Sequence, residues 1–292
     1  MKLGTPETVG LVAGWGRFPL LVAQALVRRG YRVACAALRQ HADRALEYVC
    51  DDVKWLGVAK LGAQLRYFRR QGVHRVTLAG KLFKGQLLFS GGHWIWHLPD
   101  LECVRTLGPA IAAGRTDTRD DTLLSAITRA YERYDMEVCP ATEFAPELLI
   151  GPGPIGQRMP TRQQMADIAF GWDIAKQMGS LDIGQCIAVH RGTVLAVEAV
   201  EGTDACIART KSLCRGGWTL IKVAKPQQDM RFDVPTIGLQ TLKRMQLAGG
   251  KALAIEADKT IVVDREEVAR WADAHGIAIY ALRHADEARA AA

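Results

Sequence analysis

The stretch KPQQDMRFDVPTIG, Lys225 to Gly238, sets an acid, a base and a second acid at alternate positions. In an extended chain Asp229, Arg231 and Asp233 would share one face, with Met230, Phe232 and Val234 on the other. Such a row suits phosphate chemistry: carboxylates hold Mg²⁺ or activate water, and a guanidinium meets phosphate oxygens. Lys222 and Lys225 stand just upstream as compact cations for the same oxygens. In a straight strand, however, the α-carbons of Asp229 and Asp233 lie roughly 13 Å apart. One Mg²⁺ with ligands at about 2.0–2.1 Å is not readily shared across that span. Either the chain bends, or one aspartate works on metal or water while the other orients Arg231. Pro226 and Pro235 bracket the run and confine it to an edge strand or a loop. A solvated Asp–Arg–Asp ladder is the plain alternative.

Two further stretches carry candidates. In VEAVEGTDACI, Val197 to Ile207, a strand bearing Glu198 runs into Glu201-Gly202, and Thr203 is placed to cap the helix that Asp204 begins. Helix-dipole complementarity accounts for Asp204 alone. Glu201 sits at the C-terminal end of a strand, where open α/β sheets place their ligands, so Glu201 and Asp204 are second-choice metal ligands. In GWGRFP, Gly14 and Gly16 follow a strand and precede a helix, which permits backbone approach to a phosphate beside a helix N-terminus. A purely structural turn is the competing reading. The third position is Pro19, and Arg39 and Gln40 stand where a dinucleotide site would want an acid for the ribose. Neither G-x-S-x-G nor H-E-x-x-H occurs, and His93 and His97, four apart, are read as packing residues.

These residues need elements to hold them. Val9–Ala13, a glycine turn, a helix near Pro19–Arg29 and a second apolar strand at Arg32–Leu38 make a parallel βαβ unit, and a helix at Leu61–Gln71 and a strand at Arg75–Ala79 continue it. The first domain, residues 1–146, is therefore expected to be a small Rossmann-like doubly wound sheet. ELLIGPGPIGQRMPT, residues 147–161, has three glycines and three prolines and reads as a linker. Residues 162–292 form a second α/β domain: a helix stopped near Gly179, strands at Gln185–His190, Val194–Val200, Thr219–Ala224, Ala252–Ala257 and Thr260–Val263, and helices from Asp204 and near Leu239–Ala248. The C-terminal DEARAAA reads as a frayed tail. The uncharged segment GQLLFSGGHWIWHLP, Gly85 to Pro99, is too short to span a bilayer; it packs inside, or offers an apolar surface to acyl chains or a membrane face.

Composition narrows the class. With 49% hydrophobic and 24% charged residues, the chain is an ordinary globular one and not a disordered or fibrous one. Seven scattered cysteines without a C-x-x-C pair argue against a disulfide framework or structural zinc. With no leader-like N-terminus and no apolar run of about 18–20 residues, a cytoplasmic protein is expected. The net charge of +7 favours phosphate-bearing ligands or an anionic membrane surface, while its even spread speaks against nucleic acid.

Three blocks together, GLVAGWGRFPLLVAQAL, LDIGQCIAVHRGTVLAVEAVEGTDACI and LIKVAKPQQDMRFDVPTIGLQTL, with DDTLLSAI and GPGPIGQRMPT between them, resemble the LpxI-type UDP-2,3-diacylglucosamine pyrophosphatases of lipid A biosynthesis. The likeness extends over about residues 9 to 283. It implies a Mg²⁺-dependent hydrolase that cleaves the pyrophosphate of UDP-2,3-diacylglucosamine to UMP and 2,3-diacylglucosamine 1-phosphate, with one essential aspartate in the late block. Asp229 and Asp233 both fit that part. On this reading Asp229, Asp233, Glu201 and Asp204 are the metal candidates. Gly14, Gly16, Thr203, Lys222, Lys225 and Arg231 meet the substrate. The resemblance also makes peripheral contact with inner-membrane lipid an expectation, and a homodimer is compatible with it. Two rivals use the same features: a non-catalytic sugar-nucleotide sensor, and an NADP-dependent oxidoreductase with Arg39 on a 2′-phosphate.

Overall fold

The computed structural model describes residues 6–81, 98–112, 120–232 and 234–292, the side chains of 110–112 and 120–123 excepted. The chain divides into two compact units: Met1–Pro146 with Asp229–Phe232, and Glu147–Gln228 with Asp233–Ala292.

The first unit opens with β1 (Thr8–Ala13), α1 (Phe18–Arg28), β2 (Arg32–Leu38), β3 (Asp52–Leu56), α2 (Leu61–Arg70) and β4 (Arg75–Ala79). It continues through α3 (Leu101–Ala112), α4 (Asp120–Glu132), β5 (Glu137–Val138) and a single turn, α5 (Ala141–Phe144). The strands pair in parallel in the order β3-β2-β1-β4-β5, the doubly wound arrangement expected. Strands β1 and β2 read as unbroken apolar runs because a parallel sheet covered by helices is buried on both faces. Helix α2 buries Leu61, Leu65 and Phe68 at helical spacing and exposes Arg66, Arg69 and Arg70. Those three apolar side chains join Val12, Ala34, Ala36, Val76, Cys103 and Tyr131 in one core. Phe232 packs against this same core, which is why a four-residue piece from late in the chain belongs to the first unit. Strands β3 and β5 were not anticipated: β3, DVKWL, is an edge strand with two charged residues among its five, and β5 is two residues long.

The second unit contains β6 (Gly153–Pro154), α6 (Arg162–Ser180), β7 (Cys186–His190), β8 (Thr193–Val197), α7 (Thr203–Leu213) and β9 (Trp218–Lys222). After these come β10 (Thr236–Ile237), α8 (Leu239–Leu247), β11 (Gly250–Glu256), β12 (Ile261–Val262), α9 (Arg265–His275), β13 (Ala278–Leu282) and α10 (Ala285–Ala291). Six strands form one mixed sheet in the order β6-β13-β11-β9-β7-β8, with β9, β11 and β13 mutually parallel. Strand β7 runs antiparallel to both β8 and β9, so the end of β8 and the end of β9 lie on the same sheet edge. On one face Cys206, Ile207, Leu242, Met245, Val268 and Ala272 close a core with the strands. On the other, Met165, Ile168, Trp172 and Ala175 of α6 and Ala285 and Ala288 of α10 do the same. No helix among the described residues is long and apolar enough to cross a membrane.

Two expectations about segments are corrected here. Residues 147–161 are not a free linker. Gly153 and Pro154 pair with Ala281 and Tyr280, Ile150 donates its N–H to the Thr260 carbonyl at 3.0 Å, and Ile150 and Ile155 are each 2% exposed in the core. The glycines and prolines there shape an edge strand, the sheet position that tolerates proline. Nor is the C-terminus frayed: α10 lies along α6, with Arg289 Nη2 on Asp173 Oδ2 at 2.5 Å. The tryptophan-rich segment, including His93 and His97, lies outside the described residues except for its last two positions.

Candidate active site

The end of β9 places Lys222 opposite Cys186 at the start of β7, while Glu198 follows the last residue of β8. Lys222 and Glu198 are each only 7% exposed, a burial that charged groups tolerate only with partners. The partner of both is Thr203. Lys222 Nζ donates to Thr203 Oγ1 at 3.2 Å, and that hydroxyl donates to Glu198 Oε1 at 2.8 Å. The backbone N–H of Gln185 donates to Glu198 Oε2 at 3.4 Å. Thr203 was expected to cap α7, and this is corrected. Gly202 occupies the cap position at φ 81° and offers no side chain, so Thr203 is the first helical residue and its hydroxyl is left to bridge the buried charges. The arrangement is a fixed ammonium at the C-terminal ends of parallel strands, where α/β sheets bind ligands.

Glu256, 3% exposed at the end of β11, lies on the same edge. It accepts from Lys176 Nζ at 2.6 Å, from Lys259 Nζ at 3.0 Å and from the Ala224 N–H at 2.8 Å. Lys176 also donates to the Ala224 carbonyl at 2.9 Å, which fixes the chain just beyond Lys222. Lys176 and Glu256 escaped the reading of the sequence. The available signal was a glutamate closing an otherwise apolar strand, ALAIE. Lys225, a candidate phosphate ligand, has its ammonium on Asp182 Oδ1 at 2.6 Å.

The run that includes Asp229 and Arg231 is not extended, so its residues do not alternate between two faces. Phe232 N donates to the Asp229 carbonyl at 3.1 Å, closing a turn, and Arg231 N donates to Asp229 Oδ1 at 3.0 Å. Arg231 then grips the same carboxylate through Nη2 to Oδ2 at 2.7 Å and Nε to Oδ1 at 3.0 Å. The guanidinium holds the Asp229 carboxyl below the usual carboxylate range, and the carboxylate holds Arg231 protonated. Proline bracketing pointed to a loop as one option, and the turn is the form it takes. Asp233 lies outside the described residues.

The other carboxylates named as metal ligands are each engaged by an arginine. Glu201 Oε1 pairs with Arg209 Nη2 at 2.8 Å, and Asp204 Oδ2 with Arg244 Nη1 at 2.6 Å. Among the described residues no three His, Cys, Asp or Glu side chains form a group able to hold a metal. Glu201, Asp204 and Asp229 each face an arginine of their own. Paired in this way, none of these three carboxylates stands open as a hard oxygen ligand for Mg²⁺.

In the first unit the glycine turn lies where the order of strands reverses, between β1 and β4. Gly14 N donates to the Ala79 carbonyl at 2.8 Å, and Trp15 and Lys81 exchange backbone hydrogen bonds at 2.9 and 3.0 Å. A β-carbon on Gly14 would come within 2.8 Å of the Lys81 carbonyl oxygen, whereas one on Gly16, at φ 101°, would meet nothing within 4 Å. The amides of residues 14 and 15 are thus already bonded. What this end of the sheet offers an anion is the N-terminus of α1, which has no side-chain cap and no acid in its first turn.

Both halves match family models. The LpxI N-terminal domain model covers residues 8–148 and the LpxI C-terminal domain model residues 151–280. The protein named UDP-2,3-diacylglucosamine pyrophosphatase LpxI from Caulobacter vibrioides is 36% identical over 278 residues, 92% of this chain and 95% of that protein. With two α/β units matched in order and a relative aligned over nearly its whole length, the chain belongs to the LpxI family.

Proposed function

We propose that this protein hydrolyses the pyrophosphate bond of UDP-2,3-diacylglucosamine, releasing UMP and 2,3-diacylglucosamine 1-phosphate in lipid A biosynthesis. The relative from Caulobacter vibrioides bears that substrate in its name. The observation that carries the reading is the buried Lys222 ammonium, held by Thr203 at the strand ends.

In such a reaction water forms a bond to one phosphorus and the bridging P–O bond breaks. The leaving phosphate takes the electron pair, and a base takes the water proton. Catalysis rests mainly on placing positive charge against oxygens whose charge grows in the transition state. Lys222 is given that part. It is an ammonium whose position is fixed before the substrate arrives, so little reorganisation is required. Glu198 and Thr203 hold it. Asp229, neutralised by Arg231, is a weak base and is assigned to orienting that guanidinium toward phosphate oxygens. The activation of water falls to Asp233. The N-terminus of α1, reached through the turn that Gly14 and Gly16 shape, is assigned to a phosphate of the substrate. Mg²⁺ stays in the proposal as a requirement to be assayed.

The test incubates purified protein with UDP-2,3-diacylglucosamine, with Mg²⁺ and with EDTA, and follows UMP and the lipid 1-phosphate together. Absence of UMP under both conditions would sink the hydrolase reading. Full activity in EDTA would remove the metal from it. Reaction in ¹⁸O-labelled water then assigns the attacked phosphorus by the product that carries the label.

A further inference from the structure

The opposite edge of the second sheet holds a cavity that the proposed reaction does not use. Its volume is about 400 Å³, within the range of about 300–1,000 Å³ usual for small-molecule sites. Lys251 and Ala278, at the N-terminal ends of the parallel strands β11 and β13, line it. Lys222 ends the parallel strand β9, so the two places are separated by the length of the strands.

The lining is rich in donors. The Lys251 ammonium forms no hydrogen bond or ion pair among the described residues, and Arg158 pairs with no described carboxylate. The two converge at Gly276, where an added β-carbon would lie 3.8 Å from Lys251 Nζ and 3.9 Å from Arg158 Cζ. Gly276, at φ 70°, ends α9 and leaves that space open.

Arg158 is held in place. Its Nε donates to the Asp273 carbonyl at 3.0 Å. The Asp273 carboxylate accepts the backbone N–H groups of Gln157 at 2.9 Å and Arg158 at 3.2 Å. The guanidinium Nη groups keep their donors. Gln164, also on the lining, uses Oε1 on Thr161 N at 2.8 Å in the cap of α6, which leaves its amide Nε2 as a further donor. Two like charges on the lining, with no acid among the lining residues, make a locally cationic pocket. Such a pocket binds a compact anion through charge-assisted hydrogen bonds. Met159, 58% exposed, adds an apolar wall for whatever the anion is attached to.

We infer that Arg158, Lys251 and Gln164 form a phosphate-binding site at the N-terminal edge of the second sheet, separate from Lys222. Its ligand is a phosphate group, free or on a lipid headgroup.

The full chain, labelled with ¹⁵N, is titrated with inorganic phosphate and, at matched ionic strength, with sodium chloride. Saturable shifts at Lys251, Gly276 and Arg158 with phosphate alone are expected. Lys251→Gln, which removes an exposed group with no described partner, should weaken binding at least five-fold. Lys222→Ala should leave this titration unchanged even if it abolishes hydrolysis, which separates this site from the catalytic reading. Sedimentation with phosphatidylcholine vesicles, with and without phosphatidic acid, identifies the source. Binding that needs phosphatidic acid and Lys251 indicates a headgroup, and saturation by inorganic phosphate alone indicates the free ion. Shifts no larger than those of chloride, together with no vesicle binding, would overturn the site. So would a Lys251→Gln protein that binds as the wild type does.

Discussion

Arg231 holds Asp229, two positions before it in the chain, with two nitrogens on two oxygens, Nη2 to Oδ2 at 2.7 Å and Nε to Oδ1 at 3.0 Å. The pair is local, so it forms wherever the turn forms. Because the hydrogen bonds from Arg231 set the Asp229 pKa below the ordinary value of about 3.9, the stability the pair contributes is present above that value. It is lost as pH falls through the lower, folded value. Urea melts of wild type and Asp229→Asn should therefore differ at pH 7 and converge toward pH 2. A constant difference across that range would show that the pair carries no pH-linked stability. Both side chains are 36% exposed, so the effect is a small one.

Replacing Lys222 by alanine removes the buried ammonium that Thr203 links to the buried Glu198 carboxylate. Loss of a fixed charge-stabilising donor typically lowers turnover by about 10²- to 10³-fold. UMP release under substrate saturation should fall by that amount, with a thermal melt run alongside to report folding. Lys222→Arg should recover little, because its planar fork does not match the single hydroxyl acceptor.

Thr203→Val keeps the shape and removes the bridging hydroxyl. Lys222 then loses its described side-chain partner and Glu198 keeps only the Gln185 N–H, and the expected loss of stability is about 1–3 kcal/mol. Thr203→Ser should restore most of it. Denaturant unfolding of the three proteins checks this, and equal stability of the valine and serine variants would contradict the bridge.

The two glycines of the first-domain turn should respond differently. Gly14→Ala drives a methyl into the Lys81 backbone, which is tied to Trp15 by two hydrogen bonds and cannot retreat without breaking them. Gly16→Ala meets no atoms and costs about 1–3 kcal/mol of backbone strain at its positive φ. The melting temperature should fall further for Gly14→Ala.

Ile150→Ala tests whether residues 147–161 belong to the second unit's core. A large-to-small change at a 2% exposed position should cost about 2–5 kcal/mol, whereas in a solvated linker it would cost under about 0.5 kcal/mol. Equilibrium unfolding decides between the two.

Much of the fold was legible in the sequence. The βαβ period of residues 8–79 appeared because parallel strands covered on both faces must be apolar throughout, and that constraint is local. The boundaries at Arg32–Leu38 and Arg75–Ala79 agree residue for residue. Gly14 and Gly16 stood out because only a few residue types serve a turn of that kind. The candidate cations and acids were likewise visible as types: Lys222, Asp229 and Arg231 could be named as polar residues beside apolar strands.

Tertiary structure decided what those residues touch. The Lys222–Thr203–Glu198 bridge joins positions 24 residues apart at its extremes, and only the pairing of β7 with both β8 and β9 puts the ends of those strands on one edge. Lys176 and Glu256, 80 residues apart, meet for the same kind of reason. The residues after Gln228 read as an extended strand by alternation, yet they fold as a turn because a carboxylate and a guanidinium two positions apart close on each other and Phe232 finds the first unit's core. The glycines and prolines of 147–161 read as a linker because composition alone cannot tell a loop from an edge strand, and the pairing of Gly153 and Pro154 with β13 makes that distinction. Sequence fixes the chemistry each residue can perform, through its side chain and its local period. Which charges are buried, and with what partner, is a matter of long-range pairing, so it appears only when the strands are placed side by side.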